Sequence, residues 1–223
     1  MSDSLTSTNF KNPYPLHQRG ISFEGMEACG KSTLIHGLKN HPSLLSIAEI
    51  KILKEPGSTV LGEALRNILL DKNISRTKWS ETLLFLAARL QLLDEIKSQK
   101  NTSTILFFDR YVDSTLVYQG IVQNLGLENL LDLHQKVGIS WMPQITFYLQ
   151  LNLSDCLIRL KKRNTSQNNY FENWSTEKLQ KIIDGYDSLA KRFPERFVIL
   201  DASLSPEKLV EEALNHIRKK FGI

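Results

Sequence analysis

The sequence contains few of the residues that crosslink a small protein or hold a structural metal. Only two of its 223 residues are cysteines, Cys29 and Cys156, and its five histidines are scattered singly. Neither residue type shows a metal-ligand spacing, and a disulfide framework would need more cysteines. These shortages exclude a disulfide-rich scaffold, argue against a zinc domain and favour a reducing compartment, for which we expect the cytoplasm.

Long apolar runs are also missing. No run approaches the ~20 apolar residues of a membrane helix, so we expect no membrane partner. Residues 1–15, MSDSLTSTNFKNPYP, have neither the basic start nor the apolar core of a signal peptide. Because residues 1–16 are rich in Ser, Thr, Asn and Pro, we expect a flexible tail there, followed by a single domain over 17–223.

The charge pattern shows no concentrated basic patch. The net charge is +4 and the sequence pI about 9.0, but the basic residues are scattered along the chain. Anionic small molecules therefore explain the charge as well as nucleic acid does, and we expect no nucleic-acid partner. A composition of 41% hydrophobic and 23% charged residues is that of an ordinary globular domain.

The most informative stretch is the loop GMEACGKS at residues 25–32. It fits G-x-x-x-x-G-K-[ST], the phosphate-binding loop of nucleoside triphosphatases. Glycines at both ends allow backbone angles closed to other residues, so the loop N–H groups can point inward at phosphate oxygens. The apolar segment before the loop predicts a strand, and the apolar spacing after it predicts a helix whose positive end favours phosphate.

This motif predicts a nucleotide site with a metal ion. Lys31 would reach the β- and γ-phosphates, and Ser32 would ligate Mg²⁺. The predicted ATP-binding residues are Gly25, Met26, Glu27, Ala28, Cys29, Gly30, Lys31, Ser32 and Thr33.

Strand-like and helix-like segments alternate along the rest of the chain. Strands are predicted at 21–23, 48–53, 104–109, 144–151 and 197–200, and helices after residue 31 and at 61–70, 79–96, 113–123, 127–137, 154–163, 176–193 and 206–221. This alternation predicts an α/β fold with right-handed crossovers and a five-stranded parallel sheet flanked by helices. Together with the loop it indicates the three-layer fold of P-loop NTPases.

An aspartate and an arginine follow the most apolar predicted strand. Asp109 would lie at the carboxyl end of this strand, where ligands of open α/β sheets bind, and we expect it to hold Mg²⁺. The alternative is an aspartate that caps the next turn. Arg110 could fork across phosphate oxygens, although a surface ion pair is the commoner role of an arginine.

Two helices carry faces that suit a planar polar ligand. Phe85 and Arg89 are four residues apart, so a ring and a cation share one face. Thr115, Tyr118 and Gln119 share a face of the next helix, with two hydroxyls and an amide. The alternatives are an ordinary core phenylalanine and a solvated helix face.

A basic helix end precedes a polar stretch. Arg159, Lys161, Lys162 and Arg163 are followed by NTSQNNYFEN at 164–173. We predict a short mobile lid over about 159–173 that closes basic groups over phosphates. An exposed charged helix end, where cations suit the helix dipole, explains the same pattern.

The order of these segments resembles bacterial thymidylate kinases. The resemblance is carried by FEGMEACGKST, KEPGST, LFLAAR and DRYVDSTLVYQG and extends from about residue 20 to the end of the chain. It implies transfer of the γ-phosphoryl group of ATP to dTMP with Mg²⁺, giving dTDP and ADP for dTTP biosynthesis. It also implies a homodimer.

The resemblance also assigns residue roles. Phe85 would stack on thymine, Arg89 would contact its edge, and Glu27 would face the 3′-hydroxyl. Lys54, Arg66 and Arg110 would surround the acceptor phosphate. The implied dTMP-binding set is Glu27, Lys54, Pro56, Arg66, Phe85, Arg89, Arg110, Thr115, Tyr118 and Gln119. The implied catalytic residues are Lys31, Arg110, Arg159 and Arg163, with Ser32 and Asp109 at the metal.

The sequence departs from the pattern of this family at three positions. Lys54 replaces the arginine of REPGG, which loses a planar two-pronged contact. Cys29 replaces the usual glycine or serine. Tyr170 stands where bacterial lids carry an arginine, and Ala28 occupies the loop position of the compensating arginine in the eukaryotic type. Arg163 or Arg159 is then left to supply the lid charge.

Three other functions remain open from the sequence. The chain could be a nucleoside monophosphate kinase for dUMP or a purine nucleotide, or a degenerate kinase homologue that binds nucleotide without transfer. A nucleotide-dependent switch is a further class, but the N-K-x-D motif of GTPases is missing.

Overall fold

The computed structural model describes residues 19–98, 103–163 and 174–223. Within these ranges five strands form one sheet, in which every neighbouring pair is parallel and the order is β2-β3-β1-β4-β5. The strands are β1 (Arg19–Glu24), β2 (Ile50–Lys54), β3 (Ile105–Asp109), β4 (Ile145–Gln150) and β5 (Phe197–Asp201). The predicted α/β fold and five-stranded parallel sheet are therefore confirmed.

Helices cover the sheet. They are α1 (Lys31–Lys39), α2 (Pro42–Leu45), α3 (Val60–Leu70), α4 (Lys78–Ser98), α5 (Val112–Thr115), α6 (Leu127–Lys136), α7 (Leu153–Arg163), α8 (Thr176–Arg192) and α9 (Pro206–Phe221), and a π-helix (Leu116–Val122) continues α5. In the described ranges, every helix is too short or too polar to cross a membrane.

The inner strands β1 and β3 are largely apolar because both of their faces are covered. Ile21 and Phe23 of β1 and Phe107 and Phe108 of β3 have no exposed surface. The rings of Phe23 and Phe107 meet edge to face, with centroids 5.1 Å apart. The register pairs Phe23 with Asp109, so β1 and β3 end side by side.

One predicted helix has a different geometry. Residues 113–123 were expected to form a regular helix, but α5 ends at Thr115 and a π-helix follows. The N–H of Gln123 donates to the carbonyl of Tyr118 at 3.0 Å, a spacing of five residues. Apolar spacing over so few residues cannot distinguish this hydrogen-bond pattern from that of an α-helix.

A second difference is the short helix α2, which the sequence analysis did not predict. Pro42 opens it, and the Nδ1 atom of His41 accepts the N–H of Ser43 at 3.3 Å. The polar lid residues 164–173, including Tyr170, and the predicted tail lie outside the described residues.

Candidate active site

A cavity of about 840 Å³ opens where β1 and β3 end. The loop after β1 and the end of β3 form its floor, while α3, α4, the segment 112–122, α7 and the start of α8 form its walls. Ligands of open α/β sheets bind at this edge of the sheet. Most of the residues singled out in the sequence line this one cavity.

The loop between β1 and α1 has the backbone of a phosphate cradle. Gly25 and Gly30 have φ angles of 133° and 103°, and Ala28 is also left-handed at 62°. A Cβ atom at Gly25 would lie 2.8 Å from the carbonyl oxygen of Leu149, so a side chain cannot fit there. Helix α1 begins at Lys31 and directs its free N–H groups at the cavity floor.

The side chain of Lys31 is held by the loop itself. Its Nζ donates to the carbonyl oxygens of Gly25 at 3.1 Å and Met26 at 2.7 Å. Met26 and Cys29 do not line the cavity, because their side chains are buried beneath the loop. Any contact of these two residues with a nucleotide would be through the backbone.

Two oxygen-bearing side chains suit a divalent cation. Ser32 is exposed at the first turn of α1, and Asp109 ends β3, and both line the cavity. Neither side chain has a hydrogen bond or ion pair to another residue in the described ranges. Hydroxyl and carboxylate oxygens are ligands that Mg²⁺ accepts, so the two residues fit the predicted metal site.

Arg110 is bound to the phosphate loop. Its Nη2 donates to Oε1 of Glu27 at 2.5 Å, and its Nη1 donates to the carbonyl oxygen of Gly25 at 3.1 Å. The other carboxylate oxygen of Glu27 accepts the hydroxyl of Tyr118 at 3.1 Å. Both carboxylate oxygens of Glu27, expected to face a sugar hydroxyl, thus already have partners.

The buried carboxyl group of Glu24 was not predicted as a site residue, and two hydroxyl groups link it to Arg110. Oε2 of Glu24 accepts the hydroxyls of Ser114 at 2.6 Å and Tyr186 at 3.0 Å, and both of these side chains contact Arg110. Complete burial, and then the nearby charge of Asp113, raise the pKa of Glu24 to about 7. The available signal was a charged residue directly after the predicted apolar strand at 21–23.

Arg89 lies in a polar cage under the cavity and is 2% exposed. Its Nε donates to Oε2 of Glu55 at 2.6 Å, and its Nη1 contacts Oγ1 of Thr115 at 3.1 Å and Nε2 of His134 at 3.0 Å. Its guanidinium also stacks over the ring of Tyr111 at 5.1 Å. These hydrogen bonds therefore fix one edge of the guanidinium. Arg89 also lines the cavity.

The protonation of His134 follows from its partners. Its Nδ1 lies 2.6 Å from the carbonyl oxygen of Leu130, which can only accept, so Nδ1 carries the proton and Nε2 accepts from Arg89. Burial, and then the charge of Arg89, lower the pKa of His134 to about 3. Burial also raises the pKa of Glu55, against the opposing effect of Arg89.

The predicted aromatic and amide residues line the same cavity as Arg89. Phe85 is half-buried and lines the cavity, together with Thr115, Tyr118 and Gln119. The Nε2 atom of Gln119 donates to Oε1 of Glu81 at 2.9 Å. A ring, a guanidinium and an amide thus line one cavity, and we call the space that they border the slot.

Cations surround the mouth of the cavity. Lys54 is exposed, and Arg66 donates to the carbonyl oxygen of Pro56 at 3.0 Å. Arg159 reaches the carbonyl oxygens of Cys29 at 3.4 Å and Ala202 at 2.8 Å. The side chain of Arg163 lies outside the described residues. Arg159 and Lys162 line the cavity and Lys161 is exposed, whereas residues 164–173 lie outside the described residues, so the lid and its alternative stay predictions.

Several further residues that line the cavity were not singled out in the sequence. They include Glu55 after β2, Glu81 of α4, Trp174 just before α8, and Lys178 of α8. Nζ of Lys178 lies 3.7 Å from the ring centroid of Trp174, whose ring lies 5.8 Å from that of Tyr118. The packing of α8 against the segment 116–122 brings Trp174 and Lys178 to Tyr118.

Comparison with known proteins finds thymidylate kinases that are similar to this chain. A sequence model of the family described as thymidylate kinase matches residues 23–213. The thymidylate kinase of Thermoanaerobacter sp. (strain X514) is 35% identical over 200 residues, which are 89% of this chain and 97% of that protein. That of Mycoplasma capricolum subsp. capricolum is 33% identical over 203 residues, 90% and 95% of the two chains. The crystal structure of thymidylate kinase from Ehrlichia chaffeensis has a TM-score of 0.66 and 25% identity, covering 90% of this chain and 98% of that one.

Proposed function

The chain belongs to the thymidylate kinase family, and from that premise we propose how its residues transfer the γ-phosphoryl group of ATP to dTMP. The protein is a nucleoside monophosphate kinase whose products are dTDP and ADP. One observation supports the assignment of residues. The phosphate loop and the slot of Phe85, Arg89 and Gln119 open onto the same cavity, so both nucleotides can meet without an intermediate carrier.

The donor side is the loop at 25–33. Its inward N–H groups and the start of α1 bind phosphate oxygens, and Lys31 reaches the β- and γ-phosphates from the position it holds beside Gly25 and Met26. The positive end of α1 and the Lys31 ammonium stabilise the charge that spreads over the transferred group.

Ser32 and Asp109 would hold Mg²⁺ beside this loop. Both side chains line the cavity and have no partner among the described residues. The ion they would hold would supply positive charge that neutralises the phosphate oxygens during transfer.

The acceptor side is the slot over Arg89. The ring of Phe85 stacks on thymine, and the donor atoms of Arg89 face its carbonyl edge. Lys54, Arg66 and Arg110 place the acceptor phosphate in line with the donor. Because that phosphate is already anionic, the reaction needs no general base, and alignment and charge neutralisation provide the catalysis.

Arg159 and Arg163 supply the lid charge in this proposal. Arg159 lies against the phosphate loop through the Cys29 carbonyl and lines the cavity. A guanidinium there can contact the transferring group, as arginine fingers do.

We also propose a cytoplasmic homodimer. Helices α3 and α4 pack on each other and expose apolar side chains at a spacing of seven residues, Leu61 and Ile68 on α3 and Leu83 and Leu90 on α4. A second copy that covers this face would bury those side chains.

A coupled assay of ADP release tests the activity. With ATP and Mg²⁺, we expect turnover of dTMP to exceed that of dUMP, UMP and dGMP. Preferred turnover of another monophosphate would reassign the acceptor, and ADP release independent of dTMP would contradict a monophosphate kinase.

A further inference from the structure

Glu81 contacts two amide side chains at the rim of the base slot. One of its oxygens, Oε1, accepts Nε2 of Gln119 at 2.9 Å and Nε2 of Gln123 at 2.7 Å. All three residues line the cavity, Glu81 from α4 and the two glutamines from the π-helix and the residue that follows it. Two helices are thus joined through one carboxylate.

This contact fixes the direction of both amides. A carboxylate has only acceptor atoms, so each glutamine must turn its NH₂ group towards Glu81 and its carbonyl oxygen away. The oxygen of Gln123 is buried and has no partner among the described residues. If the Gln123 amide were free to turn, it would not leave its buried oxygen without a donor. The unpaired oxygen therefore indicates that Glu81 determines the orientation of this amide.

The same constraint leaves the carbonyl oxygen of Gln119 as the acceptor of the slot. Gln119 is 5% exposed and lines the cavity, and its oxygen has no hydrogen bond to a described residue. Arg89 presents only donors. Arg89 therefore brings donors to the cavity and Gln119 brings an acceptor.

We propose that Glu81 is a positioning residue that sets acceptor specificity by orienting the Gln119 amide. The inference rests on the proposed function, in which this slot binds thymine. Thymine has an acceptor at O4 and a donor at N3–H. The O4 atom suits the donors of Arg89, and N3–H suits the carbonyl oxygen of Gln119. Cytosine has a donor at N4 and an acceptor at N3. The oriented carbonyl oxygen of Gln119 would therefore face a second acceptor, the N3 atom.

The test is Glu81→Gln, which preserves the size of the side chain. The new amide can donate as well as accept, so it no longer determines whether Gln119 turns its NH₂ group or its oxygen towards position 81. The quantity measured is the ratio of kcat/KM for dTMP to kcat/KM for dCMP. Both kcat/KM values are measured on one protein sample, so the fraction of folded enzyme cancels in their ratio. We expect the ratio to fall about tenfold, the size of one hydrogen bond, through a higher KM for dTMP and better use of dCMP.

Glu95→Gln is the matched control. Glu95 lies on the same helix and accepts Nε2 of Gln91 at 3.0 Å, but this pair is exposed and away from the cavity. The dTMP to dCMP ratio of this variant should equal that of the wild type.

A double-mutant cycle separates positioning from a purely structural role. If Glu81 acts through Gln119, then Glu81→Gln should change the ratio no further in a Gln119→Leu background. An equal fall in both backgrounds, or a ratio for Glu81→Gln within about twofold of the wild type, overturns the inference but leaves dTMP kinase activity intact. A wild-type protein that does not phosphorylate dTMP overturns the proposed function and this inference with it.

Discussion

Single residues determine how the base slot is built. Arg89 is a buried charge, which is costly unless it is paired, and it has partners from three other segments, Glu55, Thr115 and His134. His134 can accept a hydrogen bond from Arg89 only while its imidazole is neutral, because a protonated Nε2 is a donor. The cage therefore links the geometry of the slot to pH.

His134 makes stability depend on pH in a defined window. Its pKa is lowered from 6.5 to about 3 in the folded protein, so between these values the unfolded chain binds the extra proton. The free energy of unfolding should therefore fall as the pH falls below about 6.5. In His134→Gln, whose amide oxygen can still accept from Arg89, the loss between pH 7.5 and 5.5 should be about 1.4 kcal/mol smaller, as measured by urea denaturation.

His216→Gln is the control for this measurement, because His216 is exposed on α9. Its loss of stability over the same interval should match the wild type. Equal acid sensitivity of the wild type and His134→Gln would contradict a neutral buried His134.

Asp109 is the residue on which the metal proposal depends most. Asp109→Asn keeps the shape of the side chain but removes the charge that attracts a divalent cation. We expect the Mg²⁺ concentration for half-maximal velocity to rise about tenfold or more, as measured by Mg²⁺ titration at saturating ATP and dTMP. Asp132→Asn, which alters an exposed residue paired with Lys136 on α6, should leave that concentration unchanged. An unchanged value for Asp109→Asn would remove Asp109 from the metal site.

At the scale of elements, α7 brings cations to the phosphate loop. Arg159 contacts Cys29 of that loop, and the sulfur of Cys156 approaches the carbonyl oxygen of Glu27 at 3.8 Å. The helix thus packs on the loop through its middle, while its charged end leads to residues 164–173. Its cations also complement the negative end of the helix dipole.

Removing single cations from α7 tests the lid proposal. Arg163→Ala should lower kcat by at least roughly tenfold, given what arginine fingers contribute, and Arg159→Ala should also lower it. Lys161→Ala, which removes an exposed charge from the same helix, should leave kcat near the wild-type value. Stopped-flow or steady-state kinetics with saturating substrates would measure the effect, and unchanged turnover of Arg163→Ala would show that its assignment is wrong.

At the scale of the whole molecule, strand order places both subsites at one cavity. The phosphate loop follows β1 and Asp109 ends β3, and these strands are neighbours although they are far apart in sequence. The apolar side chains of Leu61, Ile68, Leu83 and Leu90 on α3 and α4 are exposed and do not line this cavity. Exposed apolar side chains on adjacent helices are typical of a surface that another chain covers.

The dimer proposal is tested with Leu83→Asp. A carboxylate would be buried without a partner in the proposed interface, so we expect monomers in sedimentation velocity at concentrations where the wild type is a dimer. Ile158→Asp is the control, because Ile158 is similarly exposed, at 52%, but lies on α7. A wild-type monomer, or a dimer that survives Leu83→Asp, would refute this interface.

Much of the fold was predictable because its signals are local. Apolar runs and helical spacing placed all five strands and most helices within a few residues, and the loop at 25–32 was recognisable from spacing alone. The π-helix was not predictable, because its hydrogen bonds leave the same apolar residues buried. The cage around Arg89 was not predictable either, because Glu55 and His134 are 34 and 45 residues away from it.

The amino-acid sequence by itself determined the phosphate loop, the parallel sheet and the identity of the charged residues, because these depend on short-range spacing and on side-chain chemistry. Only the tertiary structure decided which atoms those residues present. Burial left His134 neutral, Glu81 turned two amides, and Arg110 paired with Glu27. The physical reason is that protonation and hydrogen-bond direction depend on neighbours and on exclusion from water, which arise when distant segments pack together.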